Sequence, residues 1–281
     1  MLCLSSSKLH GSRICSFLNA PYAVIFALCS LQLTPTQAQV NYEIEAQILG
    51  TRSAVPFWMR SNQNGSIPVT GALSSFIGQV KREYVPDEDS SFKRKLWDWG
   101  LTLEGRVNAN IQETKFTLIQ SYLKGRVGPL EMRAGRSREI MGLLGDSVLT
   151  TGSFSVSGNA PGIPKLELSI PDYYRLPFLK GLLSMKGSFA HGWVGNTLIG
   201  TPLYTDELGR STYSLVSNAQ TFFHQKSLYA SFGKEDWPWR IKAGFNHQAY
   251  WGNEAKIYGE AFKLNKLESF PFIVTGKPYG G

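Results

Sequence analysis

Histidines, serines, carboxylates and a short arginine-rich tract are the side chains of this 281-residue sequence that could do chemistry. His10, His191, His224 and His247 are widely separated, and no His-x-x-x-His or His-Glu pair accompanies them, so they form no local metal motif. The last three each follow a strand-like tract and could meet at one rim of a sheet, where polar lumen or loop roles are expected rather than ligation. A serine hydrolase would need Ser with His and an acidic or amide partner. Ser153 or Ser157 with His191 or His247 are the combinations to hand, but no Gly-x-Ser-x-Gly elbow occurs. Glu139, Glu167 and Asp172 flank turns and are the carboxylates a glycosidase pair would draw on, yet spacing alone pairs none of them. Neither a catalytic residue nor a cofactor or metal site is assigned.

Basic and aromatic side chains carry a stronger argument. Sugar rings stack on aromatic faces, while amides and charges fix their hydroxyls and carboxylates. In Met132-Arg-Ala-Gly-Arg-Ser-Arg-Glu139, Arg136 and Arg138 share parity and would point to one face of a continuing strand, with Arg133 on the other. A basic strip of this kind suits an acidic polysaccharide. The same arginines would equally serve lipopolysaccharide phosphates, or pair with Glu131 and Glu139.

The first 38 residues carry Lys8 and Arg13, no acid, an apolar stretch over 23–33 and small residues at Thr36 and Ala38. That order is a secretory signal, expected to be cleaved after Ala38. The stretch falls short of the roughly 20 apolar residues a spanning helix needs. Cys3, Cys15 and Cys29 all lie inside it, so the mature chain would lack cysteine chemistry, and Leu28 before Cys29 argues against lipidation. The full chain carries a net charge of +8, and losing Lys8 and Arg13 leaves 27 basic against 21 acidic side chains, a net of +6. No dense Lys/Arg run of the nucleic-acid-binding kind accompanies this excess.

Period-two alternation recurs over 42–48, 74–82, 97–107, 115–127, 130–135, 166–170, 182–191, 222–232 and 239–250, with weaker pieces near Phe57 and Phe154. Ten or eleven strands are expected. Turn-forming clusters separate them at 61–65, 85–91, 158–162 and 195–210. Pro171-Asp-Tyr-Tyr-Arg-Leu-Pro177 interrupts the pattern, and a loop or short helix is expected near 171–180. The sequence predicts an all-β chain, an antiparallel transmembrane β-barrel of the outer membrane in its N-terminal portion. Tryptophans at strand ends (Trp97, Trp99, Trp193, Trp237, Trp239, Trp251) support it as interface girdles. A soluble β-sandwich or propeller shares the strand spacing.

A set of ordered tracts adds to this. Pro56-Phe-Trp-Met-Arg-Ser-Asn62, Gly152-Ser-Phe-Ser-Val-Ser-Gly-Asn-Ala160 with Pro164-Lys165, Pro171-Asp-Tyr173, Lys186-Gly-Ser-Phe-Ala-His-Gly-Trp193, His224-Gln-Lys-Ser-Leu-Tyr229 and Gly244-Phe-Asn-His-Gln-Ala-Tyr-Trp-Gly252 follow one another in the chain. In this order they resemble the Wzi family of capsule assembly proteins in its Bacteroidetes form, over about 42–252. The resemblance implies a non-enzymatic lectin in the outer membrane, a monomer that holds capsular or other acidic surface polysaccharide and touches outer-membrane lipid. It also implies that this chain, with a mature part 39–281, is about the first half of a longer barrel. Asn159, Lys165, Asp172, Lys226, Asn246, His247 and Trp251 are carried over as positions in the matching tracts, with turn geometry the competing role for Asn159. A porin-like or structural barrel without glycan specificity is the alternative.

Overall fold

The computed structural model describes residues 27–33, 40–50, 54–69, 73–84, 97–110, 113–139, 156–177, 180–205, 211–234, 236–259, 264 and 266–277. They form ten strands and three short helices: β1 (Ala27–Leu33), β2 (Val40–Leu49), α1 (Phe57–Arg60), β3 (Leu73–Arg82), β4 (Trp97–Ala109), β5 (Thr114–Val127), β6 (Leu130–Arg136), β7 (Lys165–Arg175), β8 (Leu183–Thr205), β9 (Ser211–Phe232), β10 (Ile241–Trp251), α2 (Glu254–Tyr258) and α3 (Lys266–Thr275). Every strand pairs antiparallel with its neighbours in sequence, giving one sheet in the order β1 to β10. Among the described residues β1 and β10 are its edges, so the sheet is all-β and antiparallel but not closed. No described helix is long and apolar enough to cross a membrane, which leaves spanning by strands untouched.

All nine period-two tracts are strands, β2 through β10. β1 lies inside the apolar core of the expected signal, and in the unprocessed chain it covers the edge of β2. The Phe57 tract is α1 instead of a strand, because Pro56 sets an extended residue before a single helical turn. Phe154 and the turn at 85–91 lie outside the described residues. The turn cluster at 195–210 is corrected: β8 and β9 pair on as a ribbon to Thr205 and Ser211, past the last partners that β7 and β10 supply.

The loop or helix expected near 171–180 is also corrected. β7 runs on to Arg175, and its register with β8 jumps from Ile170–Gly187 to Tyr174–Met185. Pro171, Asp172 and Tyr173 thus stand opposite Lys186 in a wide bulge. Proline lacks a ladder donor, and a bulge is where a strand tolerates it. A smaller bulge on β5 leaves Ile119 unpaired and buried.

The two faces of the sheet are reversed relative to a water-soluble protein. Along β4, Asp98, Thr102, Glu104, Arg106 and Asn108 are buried, while Trp97, Trp99 and Leu103 on the opposite face are exposed. Cross-strand partners share a face, so the rows propagate. Phe76, Phe116, Leu123, Met132, Leu168 and Phe189 continue the apolar outer row, and Phe116 and Met132 are 62% and 66% exposed. Burying a charge is costly unless polar partners offset it, and on the inner face Arg106 donates to the side-chain oxygens of Gln47 and Gln63, both at 3.2 Å.

Gln63 belongs to a segment, 54–67, that folds across this inner face. Asn108 donates to the Ser66 carbonyl at 2.7 Å, and Leu49 and Val55 form a small apolar core with Met59 and Ile67. Positive φ at Asn62, Asn64 and Gly65 turns the segment sharply against the 156–164 loop. A Cβ at Gly65 would lie 3.1 Å from the Asn159 carbonyl oxygen, so the two loops touch backbone to backbone.

Candidate functional site

The inner face holds the densest polar chemistry. On β6 and β7, Arg133 pairs with Glu131 at 2.6 Å, and Lys165, nearly fully buried, pairs with Glu167 at 2.9 Å and Glu139 at 3.0 Å. Lys165 also donates to Gln225 of β9 at 2.8 Å, reaching past β8. Arg138 binds Glu104, which accepts a further hydrogen bond from Gln120 at 2.6 Å. Glu139 and Glu167 are therefore both engaged by one lysine. This geometry serves a structural ion triad and differs from two carboxylates facing across a scissile bond.

Beyond β3 the network continues at the sheet margin. Burial raises the Glu83 carboxyl, but hydrogen bonds from Lys124 and Lys81 outweigh it and hold the group below the usual carboxylate range. Burial and the Glu131 carboxylate both push the Tyr84 phenol up, and it donates to that carboxylate at 2.9 Å.

A groove of about 160 Å³ runs along this face from Arg138 and Glu139, past Lys165 and Ser188, to Lys186 and Tyr229. At its far end the character changes. Lys186 lies 5.1 Å from the ring centres of both Tyr173 and Tyr229, and Lys242 lies 4.9 Å from that of Tyr173. Tyr229 donates to Asn246 at 2.6 Å. Tyr173 sits here because the 171–173 bulge re-aims it over the facing strand.

The ten residues singled out from sequence do not form one site. Arg133, Arg138, Lys165 and Asn246 share the inner face, and Asp172 is exposed on the bulge beside Lys186. The parity expected of Arg136 and Arg138 is corrected: β6 ends at Arg136, which lies in register with Ser121 on the outer row, whereas Arg138 turns inward to Glu104. Asn159 is a loop joint, accepting from the Asn62 amide at 2.8 Å. Lys226, His247 and Trp251 lie on the outer row under α3, where Lys226 donates to the Val274 carbonyl.

That second cluster gathers His191 and His224 as cross-strand partners, with the His224 and His247 rings 5.9 Å apart. Trp251 lies 5.0 Å from Phe222 and 5.6 Å from His191, and Phe270 of α3 lies 5.7 Å from His191. The three imidazoles do approach one another, but within the strands β8, β9 and β10 and not at a rim, and no described group of three His, Cys, Asp or Glu is arranged to hold a metal ion. Ring packing with Phe270 of α3 surrounds the cluster.

Family models, curated proteins and solved structures give no match to this chain. Its chemistry must be read from its own geometry. Missed from sequence were Lys186, Lys242, Tyr173 and Tyr229. Lys186, Tyr173 and Tyr229 stand inside the quoted tracts, and the parity shared by Lys186 and Lys242 across two intervening ladders was the available signal.

Proposed function

We propose that this chain is an exported segment of an outer-membrane β-barrel wall that binds acidic surface polysaccharide during capsule assembly, in the manner of the Wzi family it resembles, and that it is not an enzyme. The observation that carries the reading is the reversed polarity of the sheet. An apolar face of many strands in water would be an exposed patch far beyond the few hundred Å² that monomers tolerate, whereas against lipid it is the required surface. The opposite face, polar and grooved, then lines a lumen able to hold a hydrated polymer.

The test is paired. Cell fractionation should find the processed chain in the outer membrane, beginning at Gln39. A strain lacking it should shed capsule into the medium, and restoring it should return the capsule to the cell surface. A strain that keeps its capsule attached would defeat the reading. The polar face lined by Arg138–Glu104 and Lys165–Glu139 pairs also suits a passive channel. Steady conductance in planar bilayers with capsule attachment unaffected would favour that alternative.

A further inference from the structure

We propose that Lys186 and Tyr229 at the end of the groove, with Lys242 and Tyr173 beside them, form an anion-recognising subsite, and that its ligand is a carboxylate-bearing sugar unit of the uronic-acid type. The inference rests on the lumenal glycan reading above and sharpens it. Elsewhere on the inner face the cations are engaged within the sheet: Arg133 by Glu131, Arg138 by Glu104 and Lys165 by Glu139 and Glu167 through ion pairs, and buried Arg106 by the side-chain oxygens of Gln47 and Gln63. An acidic polymer gains little from charges engaged in this way. Lys186 and Lys242 differ, since no carboxylate lies within ion-pair distance of either among the described residues. Asp172 acts on Lys186 only from longer range, and the two ammonium groups repel one another. Tyrosine rings take the place of acids, and a ring quadrupole attracts a cation without cancelling its charge.

Two like charges held around one ring are a cost that an incoming anion relieves. The same ring supplies a flat apolar face on which the C–H face of a pyranose stacks. Tyr229 is fixed by its bond to Asn246, and Tyr173 is delivered by the three-residue bulge opposite Lys186. The site is thus preorganised from four strands and continues into a groove rich in hydrogen-bonding groups. A carboxylate bound between the ammonium groups with its ring on tyrosine fits both features at once. A neutral sugar would use only the second.

The experiment uses the full processed chain in lipid nanodiscs, titrated with oligogalacturonate and with its methyl ester, binding being read by calorimetry. The acid is expected to bind at least tenfold more tightly than the ester. Lys186→Gln and Lys242→Gln should each erase most of that difference, while Lys186→Arg and Lys242→Arg retain it. Tyr173→Ala should weaken both ligands, with Tyr173→Phe unaffected. Equal binding of acid and ester, or glutamine variants that bind like the parent, would overturn the subsite. If so, capsule retention would still judge the wider reading separately, since a glycan-binding wall without charge preference keeps its capsule and a non-binding one does not. Heat-modifiable electrophoretic mobility, preserved across the variants, identifies those that remain folded, and the arginine and phenylalanine variants carry the test if a glutamine or alanine variant is lost.

Discussion

The inner face of β4 to β7 and the inner face around the β7 bulge are built from the same residue types and put them to opposite uses. In the first, lysine and arginine meet carboxylates within 3.0 Å at Glu131, Glu139 and Glu167, and the result is an ion-paired brace across the strands. In the second, lysines meet tyrosine rings and keep their charge. A basic residue on the polar face is therefore informative only when its partner is known. The arginine tract at 133–138, the most conspicuous in the sequence, belongs largely to the brace.

The contrast breaks most visibly at Lys165. Lys165→Met strands two buried carboxylates, and removing one partner of a buried ion pair costs about 3–5 kcal/mol. Urea unfolding from lipid vesicles should register a loss of that size. The outer face offers the next largest effect: Leu168→Arg should cost about 2–4 kcal/mol in a bilayer if the row faces its midplane, and a soluble sheet would hardly notice the exposed change, so comparing vesicles with detergent-free buffer separates the two. At the bulge the sign of the comparison reverses. Lys186→Gln and Lys242→Gln, which remove unneutralised charges, should shift unfolding by less than about 1 kcal/mol while carrying the binding effect. The smallest effect lies at Glu83. Its carboxyl titrates below the ordinary range when folded, so its contribution is present above the unfolded value near about 4.3 and is lost as pH falls through the folded one. The stability gap between the parent and Glu83→Gln should be at most about 1 kcal/mol at pH 7 for so exposed a pair, closing in acid.

Strand placement was legible because alternation is a property of single residues. Trp97 to Val107 reads as a strand whichever face is wet. Which face is buried was legible only in part, since burial of Glu104 and Arg106 depends on partners from other strands, Gln120 and Arg138 for one and Gln47 for the other. Pro171 misled the reading because a proline in a strand and a proline in a loop look alike until the register jump opposite Lys186 is seen. Arg138 misled it because parity holds only while a strand lasts, and β6 stops two residues earlier. Lys226, His247 and Trp251 were grouped with Asn246 as positions in the tracts that carry the family resemblance, yet they differ from it by face, and α3 covers theirs.

The sequential order of the sheet also governs how it can be assembled. Among the described residues no ladder skips a strand, so the chain can zip together in sequence order, each new strand closing only on the one before. The braces follow the same order. Glu104 is in place before Arg138 arrives, Glu139 before Lys165, and Lys165 before Gln225. Arg138, Lys165 and Gln225 thus each meet a partner that an earlier part of the chain has already supplied.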